Sequence, residues 1–177
     1  MRSKEILADA ILVTALAVSV KLALPAQDKY TLRVPDGLAF SEFRGYDTWQ
    51  DVAVSETEGS VKAILGNPTM IAACREGVPD NGKQFPEGSK IVKIEWIKKR
   101  NPVSQYFVEV PDTLKSVSFM VKDSKRFQNT HGWAYAKFEY DPSTKTFKPA
   151  VTGTGCGDTC HKVMASRDYV FTGYPPR

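Results

Sequence analysis

A chain of 177 residues, 42% hydrophobic and 25% charged with a formal net charge of +4, has the make-up of a folded protein of about one domain. Three Trp, seven Tyr and nine Phe supply a core and exclude global disorder, while the small, dispersed charge excess gives no reason to expect a nucleic-acid partner. His131 and His161 are the only histidines, so any imidazole chemistry runs through those two positions.

Residues 1–26 read as a secretory signal peptide. Arg2 and Lys4 give a basic start, Ala10 to Val20 form an uncharged run too short to span a bilayer, and Leu24, Pro25 and Ala26 offer a cleavage site. An amphipathic helix or an uncleaved anchor competes with this reading, but Asp9 and Lys21 weaken both ends of an anchor. Cleavage removes Arg2, Lys4, Lys21, Glu5 and Asp9 and lowers the charge from +4 to +3. The expected product is one domain, residues 27–177, outside the cytoplasm with no membrane contact. In a bacterial cell that compartment is the periplasm, where thiols are oxidised or captured by cofactors.

From about Tyr46 onward, short alternating segments are separated by Gly, Pro, Asn and Asp. The pattern predicts an α+β fold that is mainly antiparallel β, with a few short helices. Strands are expected at Ser60–Leu65, Ser89–Trp96, Gln105–Val110, Ser116–Val121 and Trp133–Tyr140. In the second of these, Val92, Ile94 and Trp96 share one face, with Ile91, Lys93 and Glu95 on the other. A helix is expected after Asn67 and Pro68, which supply an N-cap and a first-turn proline, and it ends at Gly77. A second helix is expected to begin near Cys156 and run through Asp168. Trp49, Trp96, Phe107, Phe119, Trp133 and Phe138 are core candidates.

The segment Gly155–His161 (GCGDTCH) carries the chemistry. Covalent haem attachment uses two thiols that add to the porphyrin vinyl groups, and the histidine directly after the second thiol ligates the iron. Cys156, Cys160 and His161 have that order, but three residues separate the cysteines where the usual motif has two. A bulge at Gly157 would absorb the extra residue and keep both anchors; otherwise Cys160 alone is attached. Three other readings stay open: a Cys156–Cys160 disulfide in a haem-free domain, a zinc site completed by Cys74 or a carboxylate, and chance.

Several blocks resemble the cytochrome P-460 family. They are Tyr46–Trp49, Phe85–Gly88 leading into Lys93, Val121–Phe127, Gly132–Ala134, and Cys160–His161 followed by Asp168–Thr172. The resemblance implies a β-rich exported domain with one haem c, held through the C-terminal cysteines. His161 would be the proximal iron ligand and the opposite face would be open. In the catalytic branch a lysine is also bonded to the porphyrin edge and the haem oxidises hydroxylamine; Lys93 has the matching position. Expected partners are then a small nitrogen-containing substrate and an electron-accepting cytochrome, and a homodimer is one assembly open to such a domain. A related branch, the β-type cytochromes c-prime, lacks the cross-link and binds nitric oxide or carbon monoxide. Two features differ from the hydroxylamine-oxidising members: the longer cysteine spacing, and the lack of a proton-relaying carboxylate in Thr152–Gly155.

The remaining residues read more blandly. Lys93 itself is either a haem-edge lysine or a solvated one paired with Glu95. His131 reads as a surface-loop histidine and Cys74 as a buried thiol; Lys62 reads as an exposed strand lysine, although the resemblance also allows it as a basic residue near the haem. Lys98, Lys99 and Arg100 form a basic strand end that could dock an acidic redox partner.

Overall fold

The computed structural model describes residues 26–35, 37–150 and 154–177. Apart from Ala26, the expected signal peptide lies outside these residues. Among them, no helix is long and apolar enough to cross a membrane.

Six strands form one antiparallel sheet whose spatial order is the chain order: β1 (Gln50–Thr57), β2 (Ser60–Gly66), β3 (Lys90–Arg100), β4 (Glu109–Lys122), β5 (Trp133–Asp141) and β6 (Thr146–Pro149). The alternation of Ser60–Gly66 is read directly as burial: Ser60, Lys62, Ile64 and Gly66 point inward and the residues between them are half-buried. β3 registers Ile91 against Met120 and Lys93 against Ser118, and β5 continues both rows with Tyr135 and Lys137. Each row therefore lies on one face of the sheet, and the apolar residues of the two faces enter separate cores.

On the first face, Val92, Val117, Phe119, Ala136 and Phe138 are covered by the chain before β1. Val34 and Leu38, with the 3-10 turn Phe40–Phe43, lay their side chains across the strands. Phe43 stacks on Phe119 at 4.2 Å between ring centres, and Phe40 meets Phe119 at 5.0 Å and Phe138 at 4.9 Å. On the second face, Ile64, Ile91, Met120, Trp133 and Tyr135 pack with α1 (Pro68–Arg75), Phe85 and Val170. α1 starts where Asn67 accepts the Met70 N–H at 3.0 Å and ends at Gly77, whose φ of +91° a side chain would strain. A second helix, α2 (Thr154–His161), continues as 3-10 turns to Arg167.

Three expectations need correction. Gln105–Val108 is a loop, and the strand expected there begins only at Glu109 and runs unbroken into the one expected at Ser116. Phe107 sits in that loop, 72% exposed, and is no core residue. Trp96 does not continue the alternation of Val92 and Ile94, because β3 and β4 lose register on both sides of it; it is half-buried, outside both cores. The sheet also has two strands beyond those expected, β1 and β6. β1 is an edge strand with a mostly exposed, polar sequence, and β6 is four residues ending in proline, so neither carries a strong apolar alternation.

Candidate functional site

The second face of the sheet does not close. Between β2–β5, the end of β1 and the C-terminal segment lies a cavity of about 590 Å³, of the size that takes a small organic ligand or cofactor. Its walls bring together residues far apart in the chain: Lys62, Ile64, Ile91 and Lys93 from the sheet, and Cys156, Cys160 and His161 from α2. The four site residues expected from sequence thus share one cavity.

α2 accounts for the irregular cysteine spacing. No bulge is present. Cys156 and Cys160 lie four apart in a continuous helix, so they stand one turn above each other on one face. Gly157 acts by its size rather than by backbone freedom: a Cβ there would fall 2.3 Å from the Tyr135 ring. Only glycine lets α2 lie this close to β5.

The thiols of Cys156 and Cys160 are free and exposed. Their Cα–Cβ bonds tilt the same way along the helix, which does not aim them at each other as a disulfide requires. Cys74 is elsewhere, on the buried side of α1, its thiol pushed up to about 11 by burial. Among the described residues no three His, Cys, Asp or Glu side chains gather as a metal-ion site, so the zinc reading finds no ligand set.

His161 is half-buried and oriented. Its Nδ1 lies 2.6 Å from the Tyr169 carbonyl oxygen. A carbonyl can only accept, so Nδ1 carries the proton and Nε2 keeps its lone pair for a metal. The ring is held between Tyr135 and Phe171, at 4.8 and 4.9 Å between centres. Burial lowers the pKa of the imidazole and the nearby Lys93 charge lowers it further, against the opposing pull of the Tyr169 bond. The neutral ring is the metal-binding form.

Lys93 is a half-buried amine with no hydrogen-bond or ion-pair partner among the described residues. Burial is the main cause holding its pKa below the ordinary lysine value; Lys62, Lys137 and Lys115 add repulsion, and Glu95 opposes them. The expected surface pair with Glu95 does not form. Glu95 accepts instead from Ser60 Oγ and Lys115 Nζ, each at 3.0 Å. Lys62 is not the exposed lysine expected: it is 9% accessible, lines the cavity, and donates to Thr57 Oγ1 at 2.7 Å.

Residues beyond the four expected ones also bear on the site. Tyr135 forms its floor under Gly157, and its buried hydroxyl has no partner among the described residues. Burial, then the carboxylates of Asp158 and Asp168, raises its pKa. Glu56 of β1 brings a carboxylate to the rim, engaged by Lys98, although the segment before Cys156 offers none. His131 is solvent-facing, as expected, but it also bonds Asp158 of α2 at 3.0 Å and stacks on Tyr169 at 4.5 Å. Gly157 directly after a cysteine was the one sequence signal for the α2–β5 contact. The Tyr169 carbonyl had no signal, because any residue supplies a carbonyl.

An apolar slot with one neutral, pre-oriented imidazole and two thiols on the same wall suits a haem in both its size and its donor set. In class this is a haem-binding cytochrome domain built on an antiparallel sheet. Residues 43–172 match the family model described as Cytochrome P460, and the chain belongs to that family. No curated protein matches the sequence.

Proposed function

We propose that this protein is an exported, single-haem c-type cytochrome that oxidises hydroxylamine or a related small nitrogen compound. The carrying observation is that His161, Cys156, Cys160 and Lys93 line one cavity, with Nδ1 of His161 already committed to Tyr169. Cys156 and Cys160 would hold the macrocycle through thioethers, and His161 Nε2 would ligate its iron. Bound haem supplies the redox iron that takes electrons from the substrate.

The chain's own residues do the rest. Ile64, Ile91, Met120 and Phe171 exclude water from the pocket. The Tyr169 bond keeps the imidazole in one tautomer and raises its basicity. Burial keeps the Lys93 amine more readily neutral, which supports Lys93 as a third tie to the porphyrin edge; that bond would replace a ring C–H and would need a two-electron oxidant such as a peroxide. Of the basic strand end, Lys98 is engaged by Glu56 and Glu109 and Lys99 by Asp112, so among the described residues Arg100 is the cation left there to face an electron-accepting cytochrome.

Peptide mass spectrometry of protein made with the cytochrome maturation machinery and exported to the periplasm tests this reading. A tryptic fragment containing Lys93 should remain joined to the haem peptide containing His161, and Lys93→Ala should lose most hydroxylamine oxidation with an added acceptor. An unmodified Lys93 peptide with an ordinary c-type spectrum would move the protein to the gas-binding branch. A colourless protein would reject both.

A further inference from the structure

The histidine that faces the cavity is held by a carbonyl, and that carbonyl is itself held by a buried ion pair. Asp168 and Tyr169 are consecutive non-glycine residues in left-handed backbone, with φ of 47° and 64°. Such a pair persists only where its surroundings hold it there. Asp168 supplies the hold: Oδ1 takes the Lys122 ammonium at 2.8 Å, and Oδ2 accepts the Phe85 N–H at 2.8 Å. The side chains of Lys122 and Asp168 are 3% and 2% exposed, so this anchor sits out of water at the end of β4. On the outer side, the His131 ring lies parallel to Tyr169.

We propose that Lys122 and Asp168 are positioning residues for the proximal ligand: they fix the 168–169 turn, and the turn aims the Tyr169 carbonyl at His161 Nδ1. The inference rests on the haem reading above, because it assigns a consequence to how strongly that bond is made. A strong Nδ1–H···O bond gives the imidazole more anionic character, which favours ferric over ferrous iron and stiffens the iron–histidine bond. Loosening the turn weakens the bond and reverses both effects.

The test uses full-length haem-loaded protein. Lys122→Met and Asp168→Asn each break the pair. The double variant Lys122→Met/Asp168→Asn removes both charges and keeps an acceptor for the Phe85 N–H, so it guards against loss of folding. The midpoint potential should rise, and the iron–histidine stretching band in resonance Raman should move to lower frequency, in every variant recovered with a Soret band. Variants that melt earlier but keep the wild-type potential and band would overturn the proposal and leave the pair a purely structural one. A wild-type band at the frequency of a weakly bonded neutral imidazole would overturn it without any variant. A wild-type protein that carries no haem fails the haem reading itself, and this one with it.

Discussion

The two faces of the sheet are built from the same strands and do different work. Along β3, Val92 and Ile94 point to one side, Ile91 and Lys93 to the other. The first face is closed by interlocked rings, with Phe40, Phe43, Phe119 and Phe138 each nearly or wholly buried. The second face carries lysines, a carboxylate and a tyrosine hydroxyl with no partner among the described residues, all around an open space. The period of two in a strand is what permits this division, because a residue and its neighbour never share surroundings. One side can then be packed for stability while the other tolerates buried amines and a void that cost it some.

The comparison breaks if damage to the closed face spreads to the open one. Phe138→Ala removes a ring that packs on Phe40 and Phe119 and lies off the cavity, and it should cost about 3–5 kcal/mol in urea unfolding, the usual range for a buried phenylalanine. The haem spectrum of the protein that remains folded should not move. A changed spectrum at matched folding would mean the faces are coupled. Gly157→Ala acts on the open face alone: its methyl meets the Tyr135 ring, so α2 must shift. The expected loss is about 1–3 kcal/mol, as for other overpacked sites, with haem retention falling more than stability does. Equal haem content in variant and wild type would show that the α2–β5 approach does not set the pocket.

The smallest effect sharpens the boundary between the two. At Glu95, burial alone would raise the carboxyl pKa, but the bonds from Lys115 and Ser60 outweigh it and hold it below the ordinary value. A lowered folded-state pKa contributes stability above the ordinary carboxylate range and loses it as pH falls through the lowered value. Glu95→Gln should therefore cost about 1 kcal/mol at neutral pH, since Lys115 is half in water and its attraction is screened. The gap between the two proteins should close in acid. A gap that persists at low pH would mean that shape, not charge, is what Glu95 contributes.

The sequence made the closed face legible and only part of the open one. Phe119 and Phe138 lie in strands whose alternation is strong, and they are buried as that alternation predicts. Gln105–Val108 has the β-forming residues of a strand without a neighbouring strand to pair them, and local composition cannot show that. At the site, Cys156, Cys160 and His161 were visible because their chemistry is local to six residues. A helix from near Cys156 was legible too, but its regular geometry was not: two glycines and an aspartate between Thr154 and Cys160 favour a bulge until Tyr135 is seen beneath them. The pairing of Lys122 with Asp168, and of His131 with Asp158, joins ordinary residues across 46 and 27 positions of chain. Such pairs leave no pattern within either segment.

Every strand in this sheet hydrogen-bonds to its neighbour in the chain, and none of those pairings uses a residue after Pro149. The contacts that define the sheet are therefore short in sequence, and each closes a modest loop. Cys156, Cys160 and His161 follow the last strand, on a segment that leans on the finished sheet without belonging to it. A ribbon of this kind can exchange its reactive end for another while its own pairing rules stay the same. A change in the spacing of the two cysteines then alters where the thiols stand and leaves the platform untouched.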